Sequence, residues 1–184
     1  NGRHVLTEKP IALTLEQAEE MIATARENDV LLSGSLQYRG FYRNRKYKEL
    51  FEAGEFGGPV IFRYMDMRSI RPKIAMHMRS GNGGPVVDML CHYVDTARFV
   101  TGEEPLRVRA AGHCFAEHKP PVCELDDPAV DAAVVHVEMT GGHVMDVFLN
   151  WGMALRFPSF QDEMLTGPEI CARPCGAGVE GQYV

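Results

Sequence analysis

The sequence predicts a protein of the α/β (α+β) class, and three stretches support this prediction. Residues 4–34 have the pattern of a strand, a helix and a second strand, the unit from which parallel sheets are built. Residues 84–102 form a long, mostly apolar segment of the kind that makes a buried helix. After that segment the chain consists of short β-type runs separated by turns. Helices and strands are therefore both expected in the fold.

Composition and charge narrow the possible functions. The 184 residues are 45% hydrophobic and 24% charged, which is typical of a folded globular protein. The net charge of −6 argues against a general nucleic-acid-binding protein. No apolar run reaches the roughly 18 residues that a membrane span needs, and no signal-peptide pattern opens the chain. We therefore expect neither a membrane nor a nucleic acid as a partner. Five cysteines without a C-x-x-C pair favour reduced thiols, so we expect a cytoplasmic location.

The strand–helix–strand unit comes first in the chain. A short buried strand ends at Leu6, and a helix is predicted from about Leu15 to Glu27 because apolar residues recur on one face. Thr14 and Gln17 have the spacing of a capping box at its start. A second strand follows at Val30–Ser33, so the two strands are expected to lie parallel.

The glycine-rich fingerprint of dinucleotide binding, G-x-G-x-x-G after an early strand, does not occur in the sequence. Gly81–Gly84 is glycine-rich but does not follow a strand in a strand–helix–strand unit. We interpret it as a loop that leads into the long helix and not as a phosphate-binding cradle.

A basic segment lies between these elements, with a helix predicted over Arg39–Leu50. Residues 39–79 carry ten Lys and Arg against four Asp and Glu, a local charge of +6. The favoured interpretation is a solvated helix face. Contacts to cofactor phosphates, or to nucleic acid through a basic face with Tyr42 and Tyr47, are the alternatives.

The rest of the chain is predicted to form strands around the long helix. The predicted strands are Pro59–Met67, Leu106–Cys114, Ala129–Met139, Val144–Trp151 and Phe160–Leu165. A tight hairpin at Thr140–His143 joins the third and fourth of these. After Thr166 the sequence is rich in Gly and Pro, so no core element is expected there and the sheet is expected to stop unfinished.

Three ionisable residues share one stripe of the long helix. Asp88, His92 and Asp95 follow one another at i, i+4 and i+7. One interpretation is structural: Asp88 and His92 satisfy each other in the core, while Asp95 pairs with Arg98. The other is catalytic: a carboxylate orients an imidazole, which moves protons near neutral pH. Buried ionisable groups are costly unless paired or used, so both interpretations remain open at this point.

Four possible metal ligands occur near the middle of the chain, in a group that matches no known pattern. The residues are His113, Cys114, His118 and Cys123. Their spacing differs from every standard zinc motif. We therefore predict no metal site.

Three stretches together resemble the family of glucose–fructose oxidoreductase and inositol dehydrogenase, called Gfo/Idh/MocA. The first is G-R-H-V-L-T-E-K-P with the following helix L-E-Q-A-E-E-M-I. The second is E-A-G-E-F-G-G-P-V, and the third is G-G-P-V-V-D-M-L-C-H-Y-V-D with the trailing T-G-E-E-P. Each is weak alone, but in this order they form a specific signal over residues 2–165.

The resemblance implies a two-domain arrangement. Residues 1–35 would be the last part of a Rossmann nucleotide-binding domain, and residues 36–184 an α/β domain with a large, mostly antiparallel open sheet. The exposed face of that sheet commonly forms dimers or tetramers in the family, so a homodimer or homotetramer is expected. The glycine-rich part of the Rossmann domain would lie outside these residues, and we expect this polypeptide by itself to be inactive.

The resemblance also implies a reaction, which is reversible hydride transfer between NAD or NADP and a secondary alcohol of a sugar, inositol or related polyol. Lys9 would bind the reacting oxygen and stabilise charge on it. His92 would accept the proton, and Asp88 would orient His92 and reach substrate hydroxyls. A base and a cation are needed because hydride leaves carbon only as the hydroxyl loses its proton.

Further contacts are implied for the cofactor and the substrate. Glu8, Lys9 and Pro10 would form the loop at the cofactor, and Arg79 resembles a family arginine near cofactor and substrate. Arg39 is a further candidate for substrate binding.

Two departures from the family pattern indicate a divergent pocket. Leu90 stands where the family often has Gly, and Gly40 where it often has an aromatic residue. Two alternative functions therefore stay open: an NAD-dependent glycosidase of the same family, and a non-catalytic sensor of sugar or nucleotide built on this fold.

Overall fold

The computed structural model describes residues 2–176 and 178–183 of the chain. The first unit contains β1 (Val5–Thr7), α1 (Leu15–Glu27) and β2 (Leu32–Gly34). The two strands pair in parallel, as predicted. Thr14 caps α1 with its hydroxyl, and the Gln17 side chain accepts from the Thr14 backbone, which confirms the predicted capping box.

The second unit contains the remaining helices and strands, joined by short turns of 3-10 helix. The α-helices are α2 (Tyr42–Glu52), α3 (Arg79–Asn82) and α4 (Gly84–Thr101). The strands are β3 (Ile61–Ser69), β4 (Pro105–His113), β5 (Ala132–Met139), β6 (Val144–Met153), β7 (Phe160–Thr166), β8 (Ile170–Cys175) and β9 (Gly178–Tyr183). The 3-10 turns are Gln37–Gly40, Ile74–His77 and Val122–Glu124.

The seven strands of this unit form one sheet in the order β4-β5-β6-β3-β7-β8-β9. Only β3 and β6 pair in parallel, and every other neighbouring pair is antiparallel. Gly142 has a φ of 87° in the turn between β5 and β6, a conformation that Gly adopts without strain. The predicted class, with a large and mostly antiparallel sheet, is confirmed.

Helices cover one face of the sheet. Phe62 and Tyr64 of β3 are buried with Trp151 of β6 in a core that also contains Tyr47 of α2 and Met89 of α4. Residues on the other face are exposed because side chains alternate along a strand, and Ile61, Val134 and Phe160 are all about half exposed. The sheet therefore has one buried and one open face.

Three local predictions were wrong. Arg39 lies in a 3-10 turn, and α2 begins only at Tyr42. Gly81 and Asn82 lie in the short helix α3 and not in a loop. The Gly- and Pro-rich tail forms β8 and β9, because Ile170 and Ala172 of β8 face inward and β8 pairs with its neighbours.

The burial of β8 gives a test of this correction. Ile170 is 1% exposed, so we expect Ile170→Ala to lower the free energy of unfolding by about 2–4 kcal/mol through lost burial and a residual cavity. Arg173 of the same strand has an exposed side chain, and Arg173→Ala should change it by less than about 0.5 kcal/mol. Urea unfolding of both variants measures the difference. Equal midpoints would show that β8 does not pack in the core.

Candidate active site

The centre of the site is an ion pair that joins the first unit to α4. Lys9 follows β1, and its Nζ lies 2.6 Å from Asp88 Oδ1 and 2.9 Å from the Asp88 carbonyl oxygen. Both side chains are largely buried. The pair places a lysine ammonium beside the N-terminal half of α4, where an oxygen of a bound molecule could meet it.

Asn82 is a second donor to the same carboxylate. Its Nδ2 lies 2.6 Å from Asp88 Oδ1, so one oxygen accepts from both Lys9 and Asn82. Gly83 and Gly84 have φ values of 73° and 86°, which allow the sharp turn from α3 into α4. Asn82 was not predicted as a site residue. Its only signal in the sequence is a polar side chain between the glycines before the helix.

His92 lies one turn after Asp88 and is 2% exposed. Its ring stacks on Tyr38 with the centroids 4.1 Å apart and an angle of 9° between the planes. Its Nδ1 is buried and makes no hydrogen bond within the part of the chain that the structure describes. Tyr38 was also not predicted as a site residue, because the local sequence Q-Y-R does not indicate that the Tyr38 ring stacks on His92.

The structure pairs Asp88 with Lys9 and Asn82, and the hydrogen bonds of the described residues include none between Asp88 and His92. The structural interpretation of an Asp88–His92 pair was therefore wrong. These contacts also do not show Asp88 orienting His92 directly. Asp88 acts on the imidazole through its charge.

Burial lowers the pKa of His92 below its ordinary value, and the positive charge of Lys9 lowers that pKa further. The carboxylates of Asp88, Asp95 and Glu8 act in the opposite direction. The net effect is a neutral imidazole at neutral pH. Neutral imidazole is the form that accepts a proton.

Arg39 is bound to the third ionisable residue of the helix stripe. Its Nε and Nη2 lie 2.8 and 2.6 Å from the two oxygens of Asp95, which is 3% exposed. Arg98 instead pairs with Glu104 at the end of α4. The predicted pairing of Asp95 with Arg98 was therefore wrong, since a bidentate guanidinium from another element satisfies the buried carboxylate better.

Variants of the Arg39–Asp95 contact can distinguish a structural role of Arg39 from a role in substrate binding. Arg39→Ala should lower the free energy of unfolding by about 1–2 kcal/mol, less than a fully buried charged hydrogen bond because the guanidinium is half exposed. The double variant Arg39→Ala/Asp95→Asn should recover part of this loss, because no buried carboxylate is left unpaired. Urea unfolding measures both. Unchanged stability with a tenfold higher KM would instead indicate direct substrate contact.

The other predicted cofactor contacts lie on two elements, the loop of Lys9 and the helix α3. Pro10 adjoins Lys9, and Glu8 is exposed on the same loop. Arg79 begins α3, where its Nε donates to the Pro128 carbonyl oxygen at 3.1 Å. Leu90 is partly buried and packs against the core, so its side chain has a place in this fold.

Half of the basic residues between 39 and 79 are paired with carboxylates of the same chain. The five pairs are Arg39–Asp95, Arg43–Glu163, Lys46–Glu49, Lys48–Glu52 and Arg68–Asp66. These pairs favour the interpretation of the run as intramolecular and solvated charge.

Three further findings concern the described residues as a set. Within residues 2–176 and 178–183, no three His, Cys, Asp or Glu side chains come together as a group that could hold a metal ion. None of the helices in that part of the chain combines the length and the apolar character needed to cross a membrane. The cysteines Cys91, Cys114, Cys123, Cys171 and Cys175 are free thiols.

Two family models match the chain. The model described as the GFO/IDH/MocA C-terminal domain matches residues 44–163. The model described as an oxidoreductase family with an NAD-binding Rossmann fold matches residues 1–35.

Individual relatives agree with these models. The chain is similar to myo-inositol 2-dehydrogenase of Thermotoga maritima, with 34% identity over 141 residues, which are 76% of this chain and 40% of that protein. It is also similar to 1,5-anhydro-D-fructose reductase of Ensifer adhaerens, with 33% identity over 115 residues, or 61% of this chain and 34% of that protein. The chain thus spans well under half of the length of either relative.

A solved structure shows the same fold. The WlbA dehydrogenase of Bordetella pertussis, in complex with NADH and UDP-GlcNAcA, matches with a TM-score of 0.79 and 21% identity. The match covers 100% of this chain and 53% of that one.

Proposed function

Because the chain belongs to the GFO/IDH/MocA family of oxidoreductases, we propose that it transfers hydride between NAD(P) and a secondary alcohol of a sugar, inositol or related polyol. The observation that carries this proposal is the Lys9–Asp88 ion pair with the buried His92 one turn further along α4. Alcohol oxidation is assisted by a proton acceptor and by positive charge near the oxygen, and a neutral imidazole and a lysine ammonium can supply them.

The residues present fit a nicotinamide cofactor. The buried Nδ1 of His92 has no partner among the described residues, although Lys9 and Asp88 lie close by, and a polar group of a bound molecule would satisfy it. Glu8, Lys9 and Pro10 would hold the nicotinamide end, and Arg79 would join them by giving up its bond to Pro128. When bound, the dinucleotide accepts or supplies the hydride.

Each residue of the site has a proposed role. Lys9 binds the substrate oxygen, and its ammonium stabilises negative charge that develops there as the hydroxyl proton leaves. His92 accepts that proton, because its lowered pKa keeps the ring neutral. Asp88 holds Lys9 in place and offers an acceptor to a substrate hydroxyl.

The surroundings of the site support two further proposals. The open face of the seven-stranded sheet exposes Ile61, Val134 and Phe160, and we propose that it forms the interface of a homodimer or homotetramer.

We also propose a cytoplasmic location, since five free thiols suit a reducing compartment.

The test is turnover by a form of the protein that carries a complete nucleotide-binding domain. Purified protein is given NAD or NADP with a panel of sugars and inositols, and absorbance at 340 nm is followed. A stoichiometric rise with one substrate is expected, and it would exclude the glycosidase alternative, which accumulates no NADH. Saturable binding without any redox turnover would favour the sensor instead.

The 184 residues by themselves are proposed to be inactive. Within them, no G-x-G-x-x-G stretch follows an early strand and opens a helix, the arrangement that places a helix N-terminus at the pyrophosphate. Titration of this polypeptide with NADH, followed by nicotinamide fluorescence, should give no saturation below about 1 mM. Steady turnover by the isolated polypeptide would contradict this.

A further inference from the structure

A polar cavity of about 260 Å³ lies beside the active site. Its walls come from the 3-10 turn before α2, from α2 and α4, and from β3, β7 and β8. The lining residues used below are Tyr38, Arg43, Tyr64, Tyr93, Gln161 and Glu163. Tyr38 lines the cavity and also stacks on His92, so a single ring lies between the cavity and the proposed proton acceptor.

Tyr64 contributes a hydroxyl that the fold does not use. The residue is 3% exposed, and its hydroxyl makes no hydrogen bond to any described residue. Its charged and phenolic neighbours include Glu163, Arg43 and Tyr38, all of which line the cavity. A buried hydroxyl without a partner is costly, and phenylalanine would avoid that cost at the same volume. The hydroxyl is explained if a bound molecule supplies the missing partner.

Glu163 and Arg43 present further polar atoms to the cavity. The Tyr47 hydroxyl donates to Glu163 Oε1 at 3.2 Å. Arg43 Nε lies 2.9 Å from the same oxygen as an ion pair, but this buried atom makes no hydrogen bond to any described residue. The cavity thus offers a carboxylate as acceptor and a guanidinium as donor.

The chemistry of this set matches a neutral, hydroxyl-bearing ring. Hydroxyl groups both donate and accept, so they suit a carboxylate next to a guanidinium, and aromatic side chains such as Tyr38 and Tyr93 provide apolar surfaces for the C–H groups. A phosphate or carboxylate ligand would be repelled by Glu163 while it is attracted by Arg43. Neutral polyols are therefore favoured over phosphorylated sugars.

We propose that this cavity is a subsite that binds the hydroxyl groups of the substrate ring beyond the reacting carbon, with Tyr64 and Glu163 as specificity-determining residues. The inference rests on the proposed function, since it assigns the far end of the same substrate. It also predicts that the substrate is a neutral polyol.

The variant that tests the subsite is Tyr64→Phe, in a form of the protein with a complete nucleotide-binding domain. Thermal stability should stay the same or rise, because the deleted hydroxyl has no partner in the fold. KM for the best polyol substrate should rise about five- to tenfold with kcat nearly unchanged, the effect of losing one neutral hydrogen bond in binding. Tyr42→Phe is the matched control, since Tyr42 is 59% exposed and lies outside the cavity, and it should leave both parameters unchanged.

A series of monodeoxy analogues of that substrate identifies the contact. One analogue should show the same KM with wild type and Tyr64→Phe, because the hydroxyl that Tyr64 binds has been removed from it. An unchanged KM for every polyol in Tyr64→Phe would overturn the subsite while the proposed function stands. If no polyol is oxidised at all, saturation-transfer NMR with myo-inositol decides: binding that Tyr64→Phe weakens supports the subsite, and binding that is absent or unaffected overturns it.

Discussion

Replacing Lys9 with alanine is expected to lower kcat by about a hundred- to a thousandfold, with a much smaller change in KM. The ammonium interacts with the substrate oxygen most strongly as negative charge develops on it, so its loss is felt mainly in the transition state. Steady-state kinetics with the best polyol substrate measures both parameters. The Lys9–Asp88 distance of 2.6 Å shows that the cation is already held in place before substrate binds.

Lys46→Ala is the matched control for this variant, because Lys46 pairs with Glu49 on the exposed side of α2. It should leave kcat within a factor of about two, as surface ion pairs contribute little. The unfolding free energy of Lys9→Ala should be measured in parallel, since among the described residues Asp88 would keep only Asn82 as a donor to its carboxylate. Turnover that survives in Lys9→Ala would refute the proposed role of Lys9.

Lys9→Ala has a second expected consequence, which concerns pH. The charge of Lys9 lowers the pKa of His92, so removing it should raise that pKa. Any residual activity should then require a higher pH than the wild type does. This shift would show that the two residues share one electrostatic environment.

The elements that the sequence predicted well are those specified by local signals. Pro85 and Gly102 bound α4 because Pro fits a first helical turn and Gly102 takes a φ of 75° after the last one. The capping box of α1 depends on two residues three apart. Both signals are complete within a few residues, so no knowledge of the tertiary fold is needed to interpret them.

The missed contacts are those between distant residues. Arg39 and Asp95 are 56 residues apart, while the predicted Arg98 partner was only three residues away. The stacking of Tyr38 on His92 likewise depends on how the 3-10 turn packs against α4. A helix periodicity places ionisable groups on one stripe, but it does not say which elements pack against that stripe.

The strands β8 and β9 were missed for a different reason. Glycine and proline lower strand propensity, and both are frequent after Thr166. Pairing with β7 and burial of Ile170 override that local preference. The site residues Lys9, Asp88 and His92 were predicted through a family resemblance, and their geometry shows a lysine–carboxylate pair where a carboxylate–imidazole pair was expected.

Replacing His92 with glutamine is expected to lower kcat/KM for alcohol oxidation by about a hundred- to ten-thousandfold, the usual contribution of a positioned general base. The pH dependence should change as well. In the wild type, burial and Lys9 lower the pKa of His92, so the neutral base persists below the ordinary value of about 6.5 and activity declines only at more acidic pH. A plot of log kcat/KM against pH should therefore rise on its acidic side, with a midpoint below 6.5, and then level off. The variant His92→Gln should lose this rising part, the acidic limb.

The control for His92→Gln is the same substitution at an exposed histidine. His118 has a side chain that is 90% exposed, so His118→Gln should keep both the rate and the acidic limb. Tyr38→Leu removes the stacked ring while leaving the imidazole in place, and it should move the midpoint of the limb upward as water reaches His92 and its burial decreases. An acidic limb that persists in His92→Gln would assign proton transfer to another group. A limb that disappears in His92→Gln but only shifts in Tyr38→Leu would identify His92 as the base and Tyr38 as the residue that keeps it neutral.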